Sequence, residues 1–423
     1  MMSAFSYKNN ILHVDNVPVP EMAEAAGTPF YCYSATALEN NFTGFRRAVE
    51  EKGIRALICF AVKSNANPAV LKTFADAGAG ADIVSGGELE LALETGVPAE
   101  KIVFSGVGKT PEELTAAVQA GIFQINVESA EELQMLNAIA EASGKCAAIG
   151  LRVNPDVDAR THAKISTGKK ENKFGISWGE ARRLYREALD MKGVSPVGID
   201  VHIGSQLTVL EPFEEAFKKT VEMVETLRND GVPVCRIDIG GGLGVAYRPE
   251  DEPPSVEEYA ALVQKYFKAS DCLIIFEPGR RLTGEAGILT AKTVRIKKTE
   301  TKNFLITDAG MNDLVRPAMY DAYHGVIPVI KKDVGETLYD VVGPVCESSD
   351  VFAKDRLMQT TEAQDLIAFE TAGAYGSSMS SNYNMHPLTA EVLVRGDTFR
   401  IVRRRQTVRD ITALCSYAPW QKG

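Results

Sequence analysis

Between residues 55 and 277, short apolar, β-branched runs alternate with longer amphipathic stretches, the pattern of parallel strands joined by covering helices. The runs fall at 56–62, 81–85, 101–105, 123–127, 147–154, 197–203, 234–240 and 272–277. Eight such units in about 220 to 250 residues match a (β/α)8 TIM barrel, whereas an open doubly wound sheet usually stops sooner. The clearest predicted helix is 211–229, where Phe213, Ala216, Phe217, Val221, Val224 and Leu227 share one face. Pro212 lies in its first turn and Gly231 follows its end, as helix boundaries prefer. Segment 155–177 is long, polar and contains glycine, so a functional loop or lid is expected there.

Beyond residue 289 the pattern changes to short strands and turns, at 293–297, 304–307, 338–342 and 366–370, with a hairpin around Gly396-Asp397. Strand-like pieces at 11–14 and 30–33 precede the barrel and can close onto this β-rich region. The expected division is a barrel at 35–285 and a β domain built from 1–34 and 286–423, an α/β architecture with a C-terminal β-rich part.

Composition narrows the function. Of 423 residues, 45% are hydrophobic and 24% charged, which is ordinary globular material. A net charge of −10 provides no extended positive field for nucleic acid or an anionic bilayer. Residues 1–10 show no secretory pattern, and no run approaches the ~18 apolar residues of a spanning helix. The seven cysteines are scattered without a CxxC or Cys/His cluster, so reduced thiols in a cytoplasm are expected and a structural zinc site is not. Most should be small buried hydrophobes, with Cys346 set apart below.

Barrel active sites lie at the carboxyl ends of the strands. There the chain carries Lys63, Ser85, Ser105, Asn126, Asn154, His202, Gly240-Gly241-Gly242 and Glu277. A lysine after an apolar run has its amine aimed at the mouth, where burial favours a neutral nucleophile suited to Schiff-base chemistry. A solvated rim lysine is the equal alternative. The glycine turn lets backbone N–H groups approach an anion, and loops after strands seven and eight are a recurrent phosphate site; a plain tight turn is the commoner meaning. Two decoys fail: a dinucleotide fingerprint needs glycine at Val245, and a P-loop ending at Lys109 needs glycine at Val103. Glu277, followed by Pro278, Gly279 and Arg280, offers a carboxylate to a protonated pyridine nitrogen, or else a pair with Arg280. His202 is a packed histidine or a ring-stacking group. Lysine, phosphate loop and ring carboxylate together are the three grips that pyridoxal phosphate needs.

Phe60-Ala61-Val62-Lys63-Ser64-Asn65, His202-Ile203-Gly204-Ser205-Gln206, Gly240-Gly241-Gly242 and Glu277-Pro278-Gly279-Arg280 closely resemble the alanine-racemase-like, fold type III pyridoxal-phosphate decarboxylases. Asn154-Pro155-Asp156, Thr161-His162, Asn172-Lys173-Phe174-Gly175-Ile176, Asp308-Ala309-Gly310-Met311-Asn312, Arg316-Pro317-Ala318-Met319-Tyr320, Cys346-Glu347-Ser348-Ser349-Asp350 and Ala372-Gly373-Ala374-Tyr375-Gly376 are similar to the diaminopimelate decarboxylase branch. The resemblance spans essentially the whole chain. Ser64, where alanine is usual, is a minor departure.

The resemblance implies decarboxylation of meso-2,6-diaminopimelate to L-lysine, the last step of lysine biosynthesis, with pyridoxal 5'-phosphate and no metal. It further implies a head-to-tail homodimer with active sites at the subunit interface. By match, Lys63 is the Schiff-base lysine and His202 stacks on the ring. Ser205, Gly241, Gly242 and Glu277-Pro278-Gly279-Arg280 hold phosphate and ring, with Glu277 on the pyridine nitrogen. Arg280, Arg316, Tyr320 and Glu347 contact substrate, Tyr375 both substrate and cofactor. Cys346 is the implied proton donor and comes with Glu347 from the neighbouring subunit. The distal end of the substrate carries a carboxylate for the two arginines and an ammonium for Glu347. Decarboxylases of ornithine, arginine or carboxynorspermidine, a racemase and a non-catalytic cofactor-binding barrel are the competing readings; the β domain, Cys346 and Tyr375 count against the last.

Overall fold

The computed structural model describes residues 4–158 and 173–421. The chain divides into two compact units, Leu38–Gly284 and Met1–Ala37 with Glu285–Gly423.

In the first unit eight parallel strands close into a barrel: Ala56–Ala61, Gly80–Ile83, Ile102–Phe104, Gln124–Val127, Ala147–Arg152, Val194–Asp200, Arg236–Asp238 and Leu273–Phe276. Each overlaps a predicted run, most of them trimmed by a residue or two at one or both ends, while the second starts one residue early, at Gly80, and stops at Ile83. The sixth is shifted instead, starting at Val194 and stopping at Asp200, so His202 lies in the loop just beyond it. Low in the barrel, Cys59, Val103 and Ile275 pack as an apolar plug. Gln124, paired in register with Val103, fills space that side chains would otherwise take, since a Cβ on Gly150 or Gly198 would come within 2.9 or 2.5 Å of its amide. Outside, helix Glu211–Asn229 buries Phe213, Ala216, Phe217, Thr220, Met223, Val224 and Leu227; Val221, assigned to this face from spacing, is only half-buried. The helix ends in Asp230 and then Gly231, whose φ of +88° continues the chain in a conformation that glycine takes without strain.

The second unit is built on a nine-stranded sheet. Its long strand, Gly287–Lys298, pairs antiparallel with Phe30–Ser34, Leu366–Phe369 and Asn303–Thr307. Strand Phe30–Ser34 also pairs parallel with Ala390–Arg395, so the N-terminal segment is woven into the middle of the sheet. The hairpin partner Thr398–Arg403 follows Gly396, whose φ of +58° makes the two-residue turn. Phe30, Cys32, Ile288, Val392 and Val394 form its core with Leu12, Val14, Val17, Val19 and Met22. Four strands escaped the sequence pattern: Phe5–Lys8, Val17–Pro18, Val326–Pro328 and Val351–Gln359.

The cysteine expectation needs correction. All seven are free thiols, but only Cys32, Cys59 and Cys272 are buried, while Cys146, Cys235, Cys346 and Cys415 are exposed. Cys146 and Cys235 immediately precede barrel strands, at the rim where strands enter from solvent, and Cys415 follows the last helix, Val408–Thr412. Among the described residues no helix is long and apolar enough to cross a membrane.

Candidate active site

The first barrel strand runs into a 3-10 turn, Val62–Ser64, that carries Lys63. Register places Ala61 beside Asp82 on the second strand, and the Lys63 amine forms an ion pair with the fully buried Asp82 carboxylate. The lysine side chain is still 36% accessible, so its amine is anchored at the rim with one side open. The eighth-strand loop packs against the same turn: a Cβ on Gly279 would lie 3.0 Å from the Cβ atoms of both Ala61 and Ser64. Ser64 turns its hydroxyl back to the Ala61 carbonyl at 2.8 Å. Glu88, near this pair, accepts the Val84 N–H at 2.7 Å, and burial pushes its carboxyl up to about 7.

Glu277 belongs to a buried group of acids at the ends of different strands: Asp82, Asp200, Asp238 and Glu277. Burial holds all four above the usual carboxylate range, reinforced at Asp200, Asp238 and Glu277 by repulsion from neighbouring acids and opposed at Asp82 by Lys63 and Arg152. Asp238 lies at about 6; it accepts from Asn126 at 2.9 Å and from the Gly240 N–H at 3.0 Å, and also pairs with Glu277. Ser105 donates to Glu277 at 3.4 Å, and Asn126 in turn donates to Ser105 at 3.1 Å. The positive charges acting on this group are Lys63 and Arg152, and Arg152 is already shared between Glu128 at 3.1 Å and Asp200 at 3.8 Å. Among the described residues the mouth thus carries more buried acid than buried base, a setting that favours a further cation.

The glycine triplet threads a gap with no room for side chains. A Cβ on Gly240 would sit 2.3 Å from His202 Nδ1, on Gly241 2.3 Å from the Glu277 carbonyl oxygen, and on Gly242 2.5 Å from the Gly204 carbonyl oxygen. Gly240 and Gly242 also have φ of +63° and +102°. His202 accepts the Gly241 N–H on Nδ1 at 3.3 Å, and burial first, then Arg152 and Lys63, hold it well below its usual pKa. The ring is therefore neutral, with its other nitrogen protonated. Gln206, at φ +59°, clasps both backbone groups of Val245, at 2.7 and 3.2 Å, and fixes the glycine loop to the loop after the sixth strand. Arg280 is buried at the start of the short helix Arg280–Thr283 and donates to Ser205 Oγ at 3.2 Å and to the Tyr247 hydroxyl. The barrel therefore gathers Lys63, His202, Ser205, Gly241, Gly242, Glu277, Pro278, Gly279 and Arg280 at one end.

The remaining candidates lie in the β unit. Arg316 and Tyr320 share the short helix Arg316–Tyr320. Arg316 is buried and donates to His324 Nε2 at 2.8 Å, while His324 Nδ1 donates to the Glu370 carbonyl at 2.8 Å, which fixes the neutral tautomer. Tyr375 is half-buried with φ +54°, an uncommon conformation for an aromatic residue. Cys346 and Glu347 are exposed on a loop that Asp350 closes, its carboxylate accepting Val345 N–H at 2.7 Å and Met311 N–H at 2.6 Å. Ser349 and Tyr383 donate to the two oxygens of Glu347, each at 2.7 Å, and hold it below the usual carboxylate range. Thr161-His162 and Asn172, and most of the segment expected to act as a lid, lie outside the described residues. Beyond it, Gly175 donates to Glu128 at 3.0 Å and Ile176 bridges Val153, so the chain rejoins the fifth strand.

Residues 36–284 match the profile of the pyridoxal-dependent decarboxylases, pyridoxal binding domain. The diaminopimelate decarboxylase of Haemophilus influenzae is 48% identical over 415 residues, covering 98% of this chain and 99% of that one. That of Zymomonas mobilis is 46% identical over 412 residues, covering 97% and 98%. The crystal structure of diaminopimelate decarboxylase from Helicobacter pylori complexed with L-lysine is 41% identical, covers 94% of this chain and 98% of that one, and superimposes with a TM-score of 0.90. Agreement of this extent across barrel and β unit alike means that the chain belongs to the pyridoxal-dependent decarboxylases, within their diaminopimelate decarboxylase family.

Proposed function

We propose that this protein decarboxylates meso-2,6-diaminopimelate to L-lysine with pyridoxal 5'-phosphate. The observation that carries the reading is the convergence, at one barrel mouth, of an accessible lysine, a side-chain-free glycine cradle and a buried acid in an acid-rich cluster. These residues fit pyridoxal phosphate: the cradle of Gly241 and Gly242, with Ser205 and Pro278 to Arg280, suits a phosphate, and Glu277 suits a protonated ring nitrogen. When bound, the cofactor supplies the electron sink that makes loss of CO2 from an amino-acid α-carbon feasible.

The chain's own residues do the rest. Lys63 presents the amine that tethers the cofactor, oriented by its pair with Asp82. Glu277 keeps a proton on the ring nitrogen, and its acidic neighbours make that positive charge welcome. His202, neutral and locked by the Gly241 N–H, offers a flat face for stacking. Arg280 and Arg316 bind the distal carboxylate with paired donors, Arg316 pre-set by His324. Tyr320 and Tyr375 flank the substrate, and Glu347 accepts the distal ammonium. Cys346 gives a proton to the α-carbon after CO2 has left. Exposure of Cys346 and Glu347 on the single chain supports their service to a neighbouring subunit in a head-to-tail homodimer. Seven free thiols support a reducing cytoplasm.

Incubating the purified protein and pyridoxal phosphate with meso-diaminopimelate, and measuring CO2 and lysine together, tests the reading. Equal release of both is expected. Absence of CO2 rejects a decarboxylase of any substrate, whereas CO2 from ornithine or arginine alone rejects the substrate assignment.

A further inference from the structure

Cys346 and Glu347 are exposed, yet neither is loosely held. One short segment, 383–385, reaches both. The Tyr383 hydroxyl donates to Glu347 Oε2 at 2.7 Å, and the side-chain oxygen of the next residue, Asn384, accepts the Cys346 backbone N–H at 2.8 Å. The segment is not a relaxed turn. Asn384 has φ 51° and ψ 27°, and Met385 follows at φ 60°, so two successive residues with side chains sit in the left-handed region. Asparagine tolerates that conformation, while methionine adopts it only under strain. Such strain persists only where surrounding bonds over-determine the backbone. Here Asn382 closes the base of the turn, donating to the His386 carbonyl at 2.9 Å and to Gln406 at 2.7 Å.

The consequence for Glu347 is directional. Ser349 occupies one lone pair on Oε1 and Tyr383 one on Oε2, and a carboxylate has about four such sites, so those facing away from both hydroxyls are left for an incoming cation. The consequence for Cys346 is that its backbone, from which the thiol springs, is pinned by a side chain 38 residues away in sequence.

We propose that Tyr383 and Asn384 are positioning residues that aim Glu347 at the substrate's distal ammonium and Cys346 at the reacting carbon. This rests on the roles given above to Cys346 and Glu347.

The test uses the holoenzyme and its steady-state kinetics with meso-diaminopimelate, together with inhibition by L-lysine. The product keeps the distal amino-acid end intact, so lysine reports that contact without turnover. Tyr383→Phe removes one hydroxyl and keeps the ring. KM and the lysine inhibition constant should rise together by about tenfold, the scale of a lost hydrogen bond to a charged group, with kcat nearly unchanged. In a Glu347→Gln background the same change should add nothing. Asn384→Gly keeps the left-handed backbone and deletes the acceptor; kcat should fall about tenfold with KM held, and the change should be silent in Cys346→Ala, where no thiol is left to aim. Wild-type KM in Tyr383→Phe, or effects that add in either double variant, overturns the proposal while leaving the roles of Glu347 and Cys346 intact. Wild-type KM in Glu347→Gln, or wild-type kcat in Cys346→Ala, removes those roles and the proposal with them.

Discussion

Lys63 and Glu277 follow neighbouring strands of a closed barrel, Ala56–Ala61 and Leu273–Phe276, whose ladder pairs Ile58 with Phe276. Their separation is therefore set by backbone hydrogen bonds common to the whole barrel. Cys346 and Glu347 lie instead on a loop whose shape depends on the side chains of Asp350, Ser349, Tyr383 and Asn384. The difference has an energetic counterpart. Groups on the barrel ladder are buried, charge-dense and costly to disturb, and groups on the loop are exposed and individually adjustable. A catalyst needs the first for the cofactor, whose demands never vary. It can use the second to choose a substrate.

The sharpest contrast is between the two proposed chemical groups. Lys63→Ala removes the tethering amine and leaves Asp82 buried without its partner; turnover should fall by at least about a thousandfold. Cys346→Ala should cost roughly a hundredfold, the scale of a lost general acid, because water can still deliver a proton. Steady-state rates of lysine formation by both proteins decide the matter, and equal losses would break the comparison.

Gly241→Ala probes the ladder without touching a reactive group. The added Cβ would approach the Glu277 carbonyl oxygen at 2.3 Å, backbone against backbone, so the two loops must part. Affinity for pyridoxal phosphate should fall by about a hundredfold, as expected when anion-binding amides are displaced. Equilibrium dialysis measures it, and affinity within threefold of the wild type would mean that the cradle is not the phosphate site.

How much of this was legible beforehand divides along the same line. Parallel strands buried on both faces read as apolar runs, so all eight were visible, and strand-end logic placed Lys63, His202, the glycines and Glu277 at the mouth. The acids Asp82 and Asp238 were not, because a single polar residue inside an apolar run carries no periodicity. In the β unit, strand Val351–Gln359 was missed because Asp355, at φ +47°, sits where the pairing register with Glu336–Val342 shifts, which resets the alternation in mid-strand. Tyr247, His324, Tyr383 and Asn384 were missed for a different reason. They act through partners set by tertiary folding, as with Glu347 and Tyr383, 36 positions apart, and local spacing holds no trace of that.

The acid cluster should give the barrel a pH signature of its own. Asp238 in the folded protein keeps its proton to about 6, whereas an unfolded aspartate loses it near 4. Between those values the folded state binds more protons than the unfolded one, so its stability falls as pH rises through this window. Asp238→Asn removes the titration. Relative to wild type, the melting temperature of cofactor-free Asp238→Asn should therefore climb from pH 4 to 6 and then level off. Saturation with pyridoxal phosphate should shrink the wild-type slope, since a ring cation beside Glu277 offsets the crowded negative charge. A gap independent of pH would show that Asp238 does not titrate there.

The smallest effect is expected at Ser64, next to the most sensitive residue of all. Its Cβ and Oγ would lie 3.0 and 3.1 Å from a Cβ added at Gly279, and alanine retains the first of these contacts. Its hydroxyl bonds backward, to the Ala61 carbonyl at 2.8 Å. Loss of that bond costs about 1 kcal/mol at most, and nothing in it aims Lys63. Ser64→Ala should leave kcat/KM within twofold of the wild type. Gly279→Ala presses on the same contact from the other side, where Ala61 and Ser64 are both held by backbone, and should weaken cofactor binding severalfold. If Ser64→Ala were the more damaging of the pair, the turn would be positioned by its hydroxyl, and the barrel mouth would be side-chain-built after all.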